Sequence, residues 1–525
     1  MMKKYRHTSC VALALLLRVC LQSPALLRGD VRLAKVLSDH MVLQQNLPLV
    51  VWGKADPGES VKVSFRGQEA ATQAAASGRW RVVLAPMAPG GPFEMAVIGK
   101  NSLKLQDILV GDVWICSGQS NMEWPMSQVN NTEQEIAAAN FPRIRLFSVK
   151  HEVADTPQED LTGEWTVTTP ESIKDFSAVG YFFGRELHKD LNVPLGLIDS
   201  SWGGTPAESW TSETTLQNDL SLQPILWQWK RVLADYPGAK TNYERDLAAW
   251  EKNSGEAKAA GKPEPPRPSK PRGPGHSWTP AGLFNAMLAP LTSFGIRGAI
   301  WYQGESNAQP FRAGEYRRLF SAMIEDWRRA WDQGPFPFFF VQLANFKERK
   351  TMPADSAWAE LRESQTAALG LPNTGMAVII DIGEAGDIHP RNKQDVGHRL
   401  ALAAMAVAFG KEVSFSGPLY KGMTLEGNQV RVHFAHAGVG MKAKDGGALR
   451  GFAVAGKDRK FVWANARIEG KTIVVSSPSV SQPVAVRYAW ADNPECNLYG
   501  GTDLPASPFR TDNWPGLYFS EDGIE

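Results

Sequence analysis

The chain reads as an α/β fold, with a mostly parallel sheet in the middle and β-rich regions at both ends. Two patterns predict it. Short apolar runs without polar alternation mark strands buried on both faces. They recur at Val113–Cys116, Leu195–Ile198, Gly298–Tyr302, Phe336–Gln342 and Met376–Ile380. Between them lie helical periodicities over 176–190, 312–331, 356–369 and 391–409. Strands alternating with helices build βαβ units around a parallel sheet.

The 525 residues predict about three domains at roughly 150 residues each. Residues 1–28 read as an export signal. Lys3, Lys4 and Arg6 make a basic start, and Cys10–Leu17 a short apolar stretch that Arg18 interrupts. A secreted or periplasmic protein is expected. Residues 29–108 alternate in short runs, as in Leu49–Trp52, Val61–Phe65 and Trp80–Leu84, broken by turn signals at Asp56-Pro57-Gly58 and Pro89-Gly90-Gly91. They predict a small β-sandwich. Residues 109–414 carry the α/β pattern. An insertion over 213–277 interrupts it with a Trp-rich helical stretch (Leu226–Trp250) and a Lys/Pro-rich extended segment (Lys262–Pro268). Residues 415–525 return to strand signals such as Val430–Phe434 and Val484–Tyr488.

Composition narrows the function. Lys and Arg number 56 against 55 Asp and Glu, which excludes an electrostatic nucleic-acid binder. No apolar run reaches the roughly 20 residues that span a bilayer. With four cysteines the chain is not a disulfide scaffold. Cys116 and Cys496, the two beyond the signal, read equally as a pair or as buried thiols. No H-E-x-x-H or zinc-type cysteine spacing is present, so neither metal nor cofactor is expected.

Ligands of parallel sheets bind beyond the carboxyl ends of the strands. Four segments lie there. Gly118-Gln119-Ser120-Asn121-Met122 puts a serine at a strand-to-helix turn, either as a nucleophile or as a helix cap. Ser201-Trp202-Gly203-Gly204-Thr205 has adjacent glycines that let a backbone N–H approach a ligand, or that simply turn the chain. In Trp301-Tyr302-Gln303-Gly304-Glu305-Ser306-Asn307, Gln303 is a candidate donor to an oxyanion. Glu305 reads as a capping carboxylate before a general base. Asp387-Ile388-His389-Pro390 places a histidine two residues after a carboxylate, the partner that fixes an imidazole tautomer. Ser120, His389 and Asp387, with donors from Ser120, Gly203, Gly204 and Gln303, make a complete set for acyl transfer.

At these residues the sequence resembles the sialate O-acetylesterase family of the SGNH hydrolases. Matching stretches include Leu37–Gln44, Val51-Trp52-Gly53, Gly118–Met122, Trp202–Thr205, Trp301–Asn307, Val341-Gln342-Leu343, Asp387–Lys393 and Leu504–Arg510. The resemblance implies an SGNH-type, flavodoxin-like three-layer hydrolase domain with β-sandwich-like regions on either side. It also implies a metal-independent serine esterase that removes acetyl groups from a sugar. Its acid and histidine are usually three apart. Here Asp387 and His389 are two apart, so Asp381 and Glu384 stay as alternatives to Asp387.

The expected substrate is a 9-O-acetylated sialic acid. Acetylated xylan or xyloglucan is the alternative, and a non-catalytic sugar-binding protein the alternative of another class. A sialic acid carboxylate calls for arginine, and Arg391 and Arg362 are the candidates. Trp124, Trp202, Glu305 and Asn307 are further expected substrate contacts. A glycosidase built on Glu123 and Glu305 is a weaker reading, since it leaves Ser120 and His389 idle.

Overall fold

The computed structural model describes residues 30–517. The predicted export signal lies outside them. The centre is a seven-strand path in a larger mixed sheet. In spatial order it runs Trp165–Thr168, Phe141–Ser148, Leu195–Ser201, Ser102–Gly118, Gly298–Tyr302, Phe338–Gln342 and Thr374–Val378. All neighbours are parallel except the Trp165–Thr168 edge, which runs antiparallel to Phe141–Ser148.

Pleating sorts the core into two layers, because successive side chains point to opposite faces. Trp114 and Cys116 share one face. Trp114 packs edge-on to Phe183 and against Phe339 there, beneath helices Ala178–Leu191 and Lys393–Val407. Trp301 pairs with Ser117 and faces the other way. It meets Phe320 and Trp327 of helix Arg312–Trp331, with helix Ala357–Ala367 alongside. The apolar runs of the sequence are the strands buried on both sides.

The front and the tail are β-rich. The strand Ser102–Gly118 runs straight through the expected boundary at 108/109. Its first half pairs with Gly90–Ile98 and its second half lies in the central sheet. Front and centre therefore share one continuous backbone ladder. The tail folds mainly into two four-stranded sheets around Val432, Val454, Ile473 and Val486.

Helix Glu213–Asn218 and the long helix Gln223–Ala259, which carries Pro237 inside it, begin the predicted insertion. An irregular Pro-rich segment then returns to the sheet. Cys116 and Cys496 are both free thiols. No described helix is long and apolar enough to cross a membrane.

Candidate active site

The first strand of the parallel set, Ser102–Gly118, has the second and third strands on one side and the later ones on the other. That is a topological switch point, where crevices open at the carboxyl ends of strands. The register aligns three of the predicted segments there. Gly118 is paired with Ser201 on one side and Tyr302 on the other. Gln119-Ser120, Trp202-Gly203 and Gln303-Gly304 consequently leave the sheet at one level.

Gly118 makes the turn possible. It sits at φ +142°, and a Cβ there would lie 2.1 Å from the carbonyl oxygen of Tyr302. Helix Ser120–Glu123 starts immediately after. As its first residue, Ser120 has a backbone N–H with no intrahelical partner.

The fourth segment reaches the same point from the last parallel strand. His389 Nε2 lies 2.8 Å from Ser120 Oγ. The Trp124 ring stacks on the imidazole at 4.9 Å, with its own N–H donated to the Gln128 carbonyl. Asp387 Oδ1 accepts the backbone N–H of His389 at 2.9 Å and lies 3.6 Å from Nδ1. The alternative acids are engaged elsewhere. Asp381 holds Arg399 through two contacts of 2.6 and 2.8 Å and accepts from the Tyr499 hydroxyl. Glu384 accepts the backbone N–H of Arg391.

Beneath this pair lies a buried polar network that the sequence reading did not identify. Asn121 donates to Glu305 Oε1 at 2.5 Å and to the Ile388 carbonyl at 3.0 Å. Its oxygen accepts from Lys393 Nζ at 2.5 Å. Lys393 is fully buried at the start of its helix, with its ammonium facing the rings of Trp124 and Tyr302. Helix starts normally favour acidic residues, so a lysine there was the available signal. Burial pushes Lys393 down to about 7, against the pull of Glu305, Asp387 and Glu384. Burial raises the Glu305 carboxyl. Burial and then the Lys393 charge hold His389 below the ordinary imidazole range, with Asp387 opposing. The imidazole is thus kept free to take a proton.

Several predicted contacts sit away from the opening. Gln303 is fully buried, and its amide nitrogen donates to the Thr205 carbonyl and to Asn307 Oδ1. Both its amide hydrogens are engaged with the scaffold here, turned from the expected oxyanion. Asn307 is buried too, bonded to Gln303, the Ala207 N–H and Glu208. Glu305 is tied to Asn121, inside the network rather than in the opening. Arg362 is fully buried and donates to the carbonyls of Leu343, Ala344, Ala491 and Asp492, which places it in the core rather than at the opening. Arg391 stays exposed beside His389.

On the other side of Ser120, a Cβ on Gly203 would meet the Ser120 Cβ at 3.3 Å. The Gly203 N–H donates to Glu123 Oε2 at 2.6 Å. The other Glu123 oxygen lies 3.2 Å from His151 Nε2, and His151 stacks on Trp202 at 4.3 Å. The hydrogen bond to Glu123 raises the proton affinity of His151 against its partial burial.

A hydroxyl against an imidazole, beside backbone N–H groups at a strand end, is equipment for acyl transfer. Residues 110–223 and 276–406 match the family described as carbohydrate esterase, sialic acid-specific acetylesterase. The sialate O-acetylesterase of Homo sapiens is 34% identical over 92% of this chain and 94% of its own length. The chain belongs to the sialate O-acetylesterase family. The relative from Mus musculus is likewise 34% identical, over 91% of this chain and 94% of that protein. A crystal structure of a carbohydrate acetylesterase from Xanthomonas citri superposes with a TM-score of 0.79. It is 40% identical and covers 92% of this chain and 100% of that one. As a member of the sialate O-acetylesterase family, the chain is an ester hydrolase. The stretch 224–275, most of the predicted insertion, falls outside the family match.

Proposed function

We propose that this chain removes O-acetyl groups from a sugar through an acetyl-enzyme on Ser120. The observation that carries the reading is the 2.8 Å contact between Ser120 Oγ and His389 Nε2 at the switch point of the sheet. His389 takes the Ser120 proton as Oγ attacks the acetyl carbonyl carbon. The tetrahedral oxyanion is received by backbone N–H groups of Ser120 and of Gly203 or Gly204. Collapse leaves acetyl-Ser120, and His389 returns the proton to the departing sugar oxygen. Water, activated by the same imidazole, then releases acetate. Asp387 is the acid that keeps the imidazole charge in place.

The three-layer arrangement with the nucleophile after the first parallel strand supports an SGNH-type hydrolase domain. The relatives' names support an O-acetylated sialic acid as substrate, and an acetylated plant polysaccharide is the outcome that would redirect the reading. Ser120→Ala is the test. Acetate release from an acetylated sugar and from an aryl acetate should fall by several orders of magnitude with the fold retained. A variant that keeps half its activity would place the nucleophile elsewhere.

A further inference from the structure

Three aromatic and cationic side chains sit where the insertion returns to the sheet. The Trp278 indole N–H donates to the Gly204 carbonyl at 2.7 Å, which anchors the ring to the glycine turn beside Ser120. The Arg272 guanidinium lies over that ring, 3.3 Å from its centre. Arg312 faces the same ring at 5.2 Å.

The two arginines differ in what satisfies them. Arg312 pairs with Glu208 and donates to the Ser306 carbonyl. Ser306 is in turn held by Gln119, the residue before Ser120. Glu208 is already shared with Asn307. Arg272 has its ring contact with Trp278, but among the described residues no carboxylate or carbonyl accepts from it. Arg272 is exposed at the surface, where partial desolvation and the neighbouring Arg312 disfavour its charge and Glu208 only partly offsets them. A guanidinium laid flat on an indole keeps its edge N–H groups directed outward in a fork that fits a carboxylate.

Resting on the carbohydrate-esterase reading above, we propose that Arg272, presented by the insertion, binds the carboxylate of an acidic sugar while its acetyl group is at Ser120. Trp278 positions Arg272, and the anchor to Gly204 ties this subsite to the reacting centre. Residue 272 lies in the insertion, between the two stretches that the family model matches.

The test compares acetate release from an O-acetylated sialic acid, from its carboxyl methyl ester, and from an aryl acetate. Wild type should prefer the free acid. Arg272→Gln should raise KM for the acid about 10- to 100-fold, the scale of a lost charge-assisted contact. It should leave kcat and both uncharged substrates nearly unchanged, and Arg272→Lys should recover part of the loss. Equal loss on all three substrates would assign Arg272 a structural role and overturn the proposal. So would an unchanged KM for the acid, or a wild type that does not distinguish the acid from its methyl ester. The esterase reading survives each of those results as long as wild type turns over the aryl acetate through Ser120.

Discussion

The Glu123 carboxylate lies 2.6 Å from the backbone nitrogen of Gly203, beside the Ser120 side chain. In the free protein an anion already occupies a donor that the proposed oxyanion needs. His151, 3.2 Å from the other oxygen, offers the carboxylate an alternative partner. With Gly203 rather than Gly204 as the oxyanion donor, the competent molecules are those with Glu123 turned away, and apparent affinity falls by that competent fraction. Glu123→Ala should therefore raise kcat/KM on a small aryl acetate by about 3- to 10-fold. Steady-state rates decide it, and a fall below wild type would mean that Glu123 assists the reaction.

The buried Lys393 should govern the acidic side of the pH profile. A general base works only when unprotonated, so the rate drops as pH falls through the His389 pKa. The Lys393 charge helps hold that pKa down. Lys393→Met removes the charge, raises the pKa and moves the acidic limb of kcat/KM to higher pH. Above about 7, where burial leaves Lys393 itself increasingly uncharged, variant and wild type should converge in shape. Parallel profiles with an unmoved limb would exclude the electrostatic role.

Gly118 is a position at the site where a side chain would collide with backbone. With a Cβ only 2.1 Å from the Tyr302 carbonyl oxygen at positive φ, Gly118→Ala must shift the central strand or the strand beside it. A loss of about 2–4 kcal/mol in unfolding free energy is expected, together with loss of activity. Urea denaturation measures the first, and a variant of wild-type stability would show that the turn adapts.

Much of this architecture was legible in the sequence because burial on both faces leaves a plain mark. Gly298–Tyr302 and helix 312–331 lie where the pattern put them. Phe141–Ser148 was not seen. Its Arg143 and Arg145 break the apolar run, and Arg145 is buried with Asp107, distant in sequence, as its charge partner. The same limit applies at the site. Ser120 and His389 announce themselves by residue type and place. Which way the Gln303 amide faces depends on Thr205 and Asn307, contacts that no spacing encodes. Lys393 is similar, since a lysine near a helix start reads as solvated until Asn121 is found beside it.

The three acids near His389 should separate by what each variant loses. Asp387 is the one in reach of the imidazole, yet at 3.6 Å from Nδ1 and 47% exposed it contributes through its field more than through a hydrogen bond. Such contacts often tighten when substrate binds. Asp387→Asn should thus slow the reaction at least about 100-fold, toward the roughly 10⁴-fold loss seen when a bonded triad acid is replaced, with little change in stability. Asp381 is 14% exposed and held by Arg399 and Tyr499. Asp381→Asn leaves that guanidinium without its charge partner and should cost about 3–5 kcal/mol of stability, with the rate of the folded fraction largely kept. The Glu384 side chain accepts the Arg391 backbone N–H and adds the weakest of the three carboxylate pulls on Lys393, so Glu384→Gln should change either quantity least. Turnover per folded molecule and thermal unfolding, measured on all three, separate the roles. If Asp387→Asn keeps wild-type turnover, His389 works without a carboxylate partner and the site is a Ser120–His389 dyad.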